Sequence, residues 1–190
     1  MLQVYTGNGK GKTTAAIGLA IRSLGAGHRV YFAQFMKSLA YSEQSVLKQF
    51  APQLLLETTG KPYFIAKEGM LTDEQIRAFG DMVRIYKPGH PPADYVEMAH
   101  GLLAKVQSAA ASSRFDLIVL DEINMALFYE LITRAELEDF FAAIPAETEI
   151  VCTGRSAPDW LLDRADLITE MKEVRHYYQK GVEARKGIEN

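Results

Sequence analysis

The run Thr6-Gly7-Asn8-Gly9-Lys10-Gly11-Lys12-Thr13-Thr14 constrains this chain more than any other stretch. Three glycines in nine positions make it too flexible for a helix interior and too poorly packing for a strand. Ahead of it, Leu2–Tyr5 reads as a strand. Behind it, Lys12–Leu24 places Ala16, Leu19, Ala20 and Leu24 on one face of a helix that Gly25 and Gly27 close. A strand, a glycine-rich turn and a helix in that order make an anion cradle. Successive N–H groups turn inward around the anion, and the helix adds its positive N-terminal end. Within the run, Gly11-Lys12-Thr13 has the residue types of a phosphate loop. Lys12 supplies a point charge for the phosphates and the Thr13 hydroxyl a ligand for Mg²⁺. Thr6 stands where the usual pattern has glycine, and Gly7 and Gly9 supply the flexibility instead.

Beyond this run, short apolar segments alternate with helical patterns. Arg29–Phe35, Leu54–Thr58, Asp116–Leu120, Glu149–Thr153 and Leu167–Met171 read as strands. Thr72 with Gln75 and Thr133 with Glu136 have capping-box spacing. Asp94 with Glu97 opens a longer helix with Val96, Ala99, Leu103, Val106 and Ala110 on its apolar face. Gly60–Gly69 is expected to be a loop rich in aromatic residues, and Lys87–Pro92 an irregular one. This alternation predicts an α/β fold, a three-layer P-loop NTPase (RecA-like) architecture with a mainly parallel sheet flanked by helices. With 190 residues, 48% of them hydrophobic, a single domain over 1–190 is expected. A net charge of −3 gives no electrostatic footprint for nucleic acid. The one cysteine, Cys152, allows no internal disulfide and reads as a core residue. No apolar window approaches the roughly 18 residues of a membrane span, and no leader pattern precedes Leu2, so a cytoplasmic protein is expected. The four histidines, His28, His90, His100 and His176, have no partners at metal-ligand spacing and read as structural. Trp160, at a helix start after Pro158, reads as packing.

A second motif belongs with the cradle. Phe115–Leu120 is an apolar strand that ends in Asp121-Glu122, and carboxylates at such a strand end hold Mg²⁺ directly or through water. Together the two motifs predict binding of a Mg²⁺–nucleotide. What happens to the nucleotide stays open on residue types alone. A water-activating Glu122 would suit an ATPase, an acceptor pocket a nucleoside or small-molecule kinase, and slow turnover a nucleotide-gated binding module.

The chain is similar to the ATP:corrinoid adenosyltransferases of the cobalamin pathway along nearly its whole length. The likeness is carried by the run from Gly7 to Ala16, by Gln34-Phe35-Met36-Lys37, Leu120-Asp121-Glu122, Thr153-Gly154-Arg155 and Ala165–Met171, and by the ending Arg175-His176-Tyr177 with Lys180–Glu189. The resemblance implies that the cobalt(I) of a corrinoid, cobalamin or cobyrinic acid diamide, attacks the 5′ carbon of ATP and that inorganic triphosphate leaves. It implies that ATP lies reversed in the loop, with Gly7, Asn8, Gly9, Lys10, Gly11, Lys12, Thr13 and Thr14 as the cradle. Thr13 and Glu122 would hold Mg²⁺ (or Mn²⁺), with Asp121 close behind and Arg155 on phosphate, so Lys12, Thr13 and Glu122 become the catalytic candidates. Aromatic side chains are expected beneath the corrinoid ring. Lys61 stands where the family has one of them, and Tyr63 and Phe64 are the substitutes. A homodimer, an electron donor such as a flavoprotein reductase, and a tail over Lys180–Asn190 that folds back near the nucleotide complete the expectation.

Overall fold

A computed structural model describes residues 1–38, 41–112 and 115–189. In chain order the elements are β1 (Leu2–Thr6), α1 (Lys12–Gly25), β2 (Val30–Gln34), α2 (Ser42–Leu47), β3 (Leu54–Thr58), β4 (Phe64–Lys67), α3 (Asp73–Phe79), β5 (Val83–Tyr86), α4 (Ala93–Ala111), β6 (Leu117–Asp121), α5 (Ile123–Phe128), α6 (Arg134–Ala143), β7 (Glu149–Thr153), α7 (Asp159–Arg164) and β8 (Leu167–Glu170). Six strands form one sheet in the order β3-β2-β6-β7-β1-β8, and every pairing in it is parallel. This is the three-layer α/β P-loop fold that the alternation predicts, with one strand, β7, between the strand of the glycine run and the strand of Asp121.

The layers follow from strand periodicity. Every residue of β2 and β6 is buried, as expected where helices cover both faces of a parallel sheet. Alternate residues serve opposite sides. Tyr31, Ala33, Ile118 and Leu120 pack with residues of α4, α5, α6 and α7. Val30, Phe32, Leu117 and Val119 pack with Ala16, Ala20 and Leu24 of α1 and Leu47 of α2. Each such side chain contributes about 1.5–3 kcal/mol by leaving water. Cys152 of β7 is one of these core residues, fully buried, and burial pushes its thiol well above the ordinary range.

Two expectations need correction. The stretch from Gly60 to Gly69 is not all loop: Phe64–Lys67 is β4, which pairs in parallel with β5 as a separate two-stranded sheet. Four-residue strands flanked by glycine carry too little pattern to be told from a loop. The helix that Asp94 was expected to cap begins two residues earlier, with Pro92 at the cap position and Asp94 inside the first turn. The Asp94 carboxylate instead meets Lys61 Nζ at 2.9 Å and accepts from the Tyr63 hydroxyl at 3.2 Å. Both predicted capping boxes, at Thr72 and Thr133, are formed on both of their bonds.

Candidate active site

In a parallel sheet the loops that leave the carboxyl ends of the strands gather on one edge. Here the segments that follow β1, β2, β6 and β7 line one cavity of about 770 Å³, which the end of the chain also reaches. That volume lies within the ordinary range for a small-molecule site.

The glycine run forms one wall. Its shape is set by close approach: a Cβ on Gly7 would stand 2.5 Å from the Met171 carbonyl oxygen, and one on Gly9 2.6 Å from the same atom. The Gly9 N–H donates to that oxygen, also at 2.6 Å, so the segment after β8 clamps the loop against the sheet. Lys12 is buried at the start of α1, and its ammonium donates to the carbonyls of Gly7 at 2.7 Å and Gly9 at 2.8 Å. Burial lowers its pKa and nearby Arg155 adds to that, although Glu122 and Asp121 pull the other way. The ammonium is thus held inside the loop by weak neutral acceptors, which an arriving phosphate outcompetes.

Asp121, at the end of β6, is fully buried. Its Oδ1 accepts from Thr13 Oγ1 at 2.9 Å and Thr153 Oγ1 at 2.6 Å. Its Oδ2 accepts from Gln34 Nε2 at 3.1 Å and Lys37 Nζ at 2.8 Å. The carboxylate is therefore tied directly to the phosphate-loop threonine. Glu122 follows in a left-handed conformation, φ 64°, which costs a non-glycine residue about 1–2 kcal/mol. That turn ends β6, starts α5 and places Glu122 on the cavity wall. Burial raises its pKa, and the Asp121 charge beside it raises it further.

Among the described residues no three His, Cys, Asp or Glu side chains converge as a metal cage. The oxygen set of Thr13, Asp121 and Glu122 nevertheless suits Mg²⁺ or Mn²⁺, because such ions take one or two carboxylates and fill their remaining positions with phosphates and water. Of the other predicted residues, Asn8, Lys10, Gly11, Thr14 and Arg155 all line the same cavity. Tyr63 and Phe64 do not line it. Tyr63 packs edge-on against Tyr95 with ring centroids 5.7 Å apart, and Phe64 stands partly in solvent against Phe79 at 4.9 Å.

Sequence reasoning passed over several neighbours. Lys37, Gln34 and Thr153 all bond Asp121, and only their position at strand ends beside a motif could have signalled this. His176, read as structural, lies on the cavity rim with Gly187, Ile188 and Glu189. The chain end is braced there: Glu189 accepts from the Tyr177 hydroxyl and pairs with Arg185 at 3.1 Å, which holds its carboxyl down to about 2. The Arg185 guanidinium also lies 5.0 Å from the centre of the Tyr177 ring. Of the tail expected to fold back, Gly187, Ile188 and Glu189 line the cavity, and Asn190 lies outside the described residues.

The sequence matches known proteins along its whole length. The family ATP:corrinoid adenosyltransferase BtuR/CobO/CobP matches residues 1–190. The chain belongs to this family. Corrinoid adenosyltransferases similar to it include that of a Sinorhizobium species, 32% identical over all of this chain and 79% of the relative. That of Pseudomonas aeruginosa is 31% identical, again over the whole chain and 83% of the relative. Corrinoid adenosyltransferase CobA of Salmonella typhimurium is 30% identical over 98% of this chain and 83% of its own length. As a corrinoid adenosyltransferase, the chain is a transferase whose substrates are ATP and a corrinoid. No helix among the described residues is long and apolar enough to cross a membrane.

Proposed function

We propose that the protein transfers the 5′-deoxyadenosyl group of ATP to the cobalt(I) of a corrinoid and releases inorganic triphosphate, in adenosylcobalamin biosynthesis or salvage. The lone pair of cobalt(I) forms the cobalt–carbon bond, the bond from C5′ to its oxygen breaks, and that electron pair leaves on the triphosphate. The nucleophile comes with the substrate, so the chain supplies no serine, cysteine or general base. Its task is to hold the leaving group, whose negative charge grows as the bond breaks.

The observation that carries this reading is the convergence of Lys12, Thr13, Glu122 and Arg155 on one cavity, with Asp121 buried behind and bonded to Thr13, in a chain of this family. Lys12 leaves the carbonyls of Gly7 and Gly9 for the phosphates. N–H groups of the Gly7–Thr14 run, other than that of Gly9, which bonds Met171, surround them, with Asn8 and Lys10 at the edge, and Arg155 approaches from the end of β7. A magnesium ion held by Thr13 and Glu122, with Asp121 behind, would neutralise the departing oxygens. The tail closes over the nucleotide through His176, Ile188 and Glu189. On the corrinoid side Phe64 keeps an open ring for the macrocycle, while Tyr63 braces the first turn of α4 through Asp94. A homodimer and a flavoprotein reductase as electron donor complete the proposal.

Product analysis tests it. The protein with chemically reduced corrinoid, ATP and Mg²⁺ should give a cobalt–carbon visible spectrum together with triphosphate. ADP as product would make it a kinase, and binding of both ligands with neither product would make it a corrinoid-binding module.

A further inference from the structure

We propose that Lys37 is a built-in counter-cation for the metal position, one that a divalent ion must displace before it can bind. The inference rests on the reading above, in that Thr13 and Asp121 are taken to face that ion. Lys37 Nζ lies 3.1 Å from Thr13 Oγ1 and 2.8 Å from Asp121 Oδ2, so one ammonium bridges both oxygens.

The bonding capacity of the Asp121 carboxylate, and the like charge of the two cations at Thr13, set them in competition. A hydroxyl has one proton and two lone pairs, and a carboxylate accepts at about four sites. Thr13 gives its proton to Asp121 and receives Lys37 on its oxygen. Among the described residues Asp121 receives four donors, from Thr13, Thr153, Gln34 and Lys37. An ion that contacts Asp121 therefore meets a lone pair already in use, and one that approaches the second lone pair of Thr13 meets the charge of the Lys37 ammonium on the same oxygen. Thr153 and Gln34 are fully buried on strands at the sheet interior and cannot withdraw. Lys37 can: its charge sits on a long flexible stem, and its side chain lines the open cavity.

The fold also fixes where Lys37 starts and where it can go. Met36 turns the chain after β2 in a left-handed conformation, φ 57°. The Lys37 backbone is then pressed by Gly60, where a Cβ would come within 2.5 Å of the Lys37 carbonyl carbon. With its backbone held, the ammonium on Asp121 already lies 5.2 Å from the centre of the Tyr41 ring, with Glu43 on the same cavity wall, so both groups are within its reach when it swings off the carboxylate. Lys37 thus neutralises a buried carboxylate while the site is empty and releases it when nucleotide brings the ion. Metal and nucleotide then bind as a pair.

Manganese binding to the full chain, without nucleotide or corrinoid and followed by the paramagnetic resonance of free Mn²⁺, tests this directly. Lys37→Met should bind Mn²⁺ at least about tenfold more tightly than the wild type, a typical size for coupling between two ligands of one site. Lys37→Arg, which keeps the charge, should stay near the wild type. Should the unpaired carboxylate unfold the methionine variant, Lys37→Gln keeps a donor without a charge and should shift in the same direction. Equal or weaker Mn²⁺ affinity in a folded, uncharged variant overturns the inference. Adenosyl transfer by the wild type is read separately: a cobalt–carbon product with unmoved Mn²⁺ affinity sinks only the role of Lys37. Tightened affinity without that product sinks only the proposed reaction.

Discussion

The Lys12 ammonium bonds two carbonyls of its own loop, an arrangement that holds a charge ready without fixing it. When triphosphate replaces those carbonyls, each bond becomes charge-assisted, and the gain is largest as the leaving group takes up charge. Lys12→Ala should therefore lower kcat/KM by about 10²–10³-fold, the scale seen for one lost oxyanion donor. Circular dichroism should show the variant folded, since water can reach the freed carbonyls from the cavity. Glu122 gives the opposite balance. Its folded-state pKa is raised above the ordinary 4.5, first by burial and then by Asp121, so the folded protein keeps this proton to higher pH than the unfolded chain does. Stability from the group is thus full in acid and is lost as pH rises through the raised value. Glu122→Gln should raise the melting temperature of the nucleotide-free protein at neutral pH, with the two curves converging near pH 4. The same substitution should weaken Mg²⁺–ATP binding in calorimetry. Lys12, Thr13, Asp121 and Glu122 were legible in the sequence because they occupy motifs. Lys37 was not assigned a role, because nothing in a sequence says that two strand ends will bring an ammonium onto a given carboxylate.

Elements show where pattern is readable and where it fades. The central strands were found to within a residue or two, since residues buried on both faces read as unbroken apolar runs. β4 and β5 were not, for each has four residues, and the glycines and lysines around them resemble a loop. The start of α4 was displaced because Asp94 has capping chemistry but spends it on Lys61 and Tyr63 instead. The tail carries the element-scale prediction. Its contact with the cavity depends on Arg185, Tyr177 and Glu189 bonding one another, with Gly187 and Ile188 between them on the rim. Deleting the residues after Val182 should raise the Kd for ATP in equilibrium titration while leaving the melting temperature of the free protein nearly unchanged. An unaltered Kd would remove the tail from the site.

At the scale of the molecule, one sheet packs a core on each face and gathers its functional loops at a single edge. Alternating strands and helices made that architecture predictable. The direction in which each loop turns after its strand was not, because it depends on close approaches such as Met171 on Gly7. Since the site draws on β1, β2, β6, β7 and the chain end together, a ligand bound there couples to unfolding of the whole sheet. Mg²⁺–ATP at 100 times its Kd should stabilise the fold by about 2.7 kcal/mol. For a chain of this size that is a rise in melting temperature of about 5–10 °C in a thermal scan. A rise from ATP in chelator equal to that with Mg²⁺ would argue against an ion at Thr13.

The central claim is that carbon, not phosphorus, is attacked while the triphosphate is held. ATP labelled with carbon-13 at the ribose 5′ position, turned over with cobalt(I) corrinoid and followed by carbon NMR, tests it most directly. The label should move to the shift of a carbon bonded to cobalt as triphosphate appears in equal amount. A label that stays in ADP or unreacted ATP while phosphate is released would contradict the account.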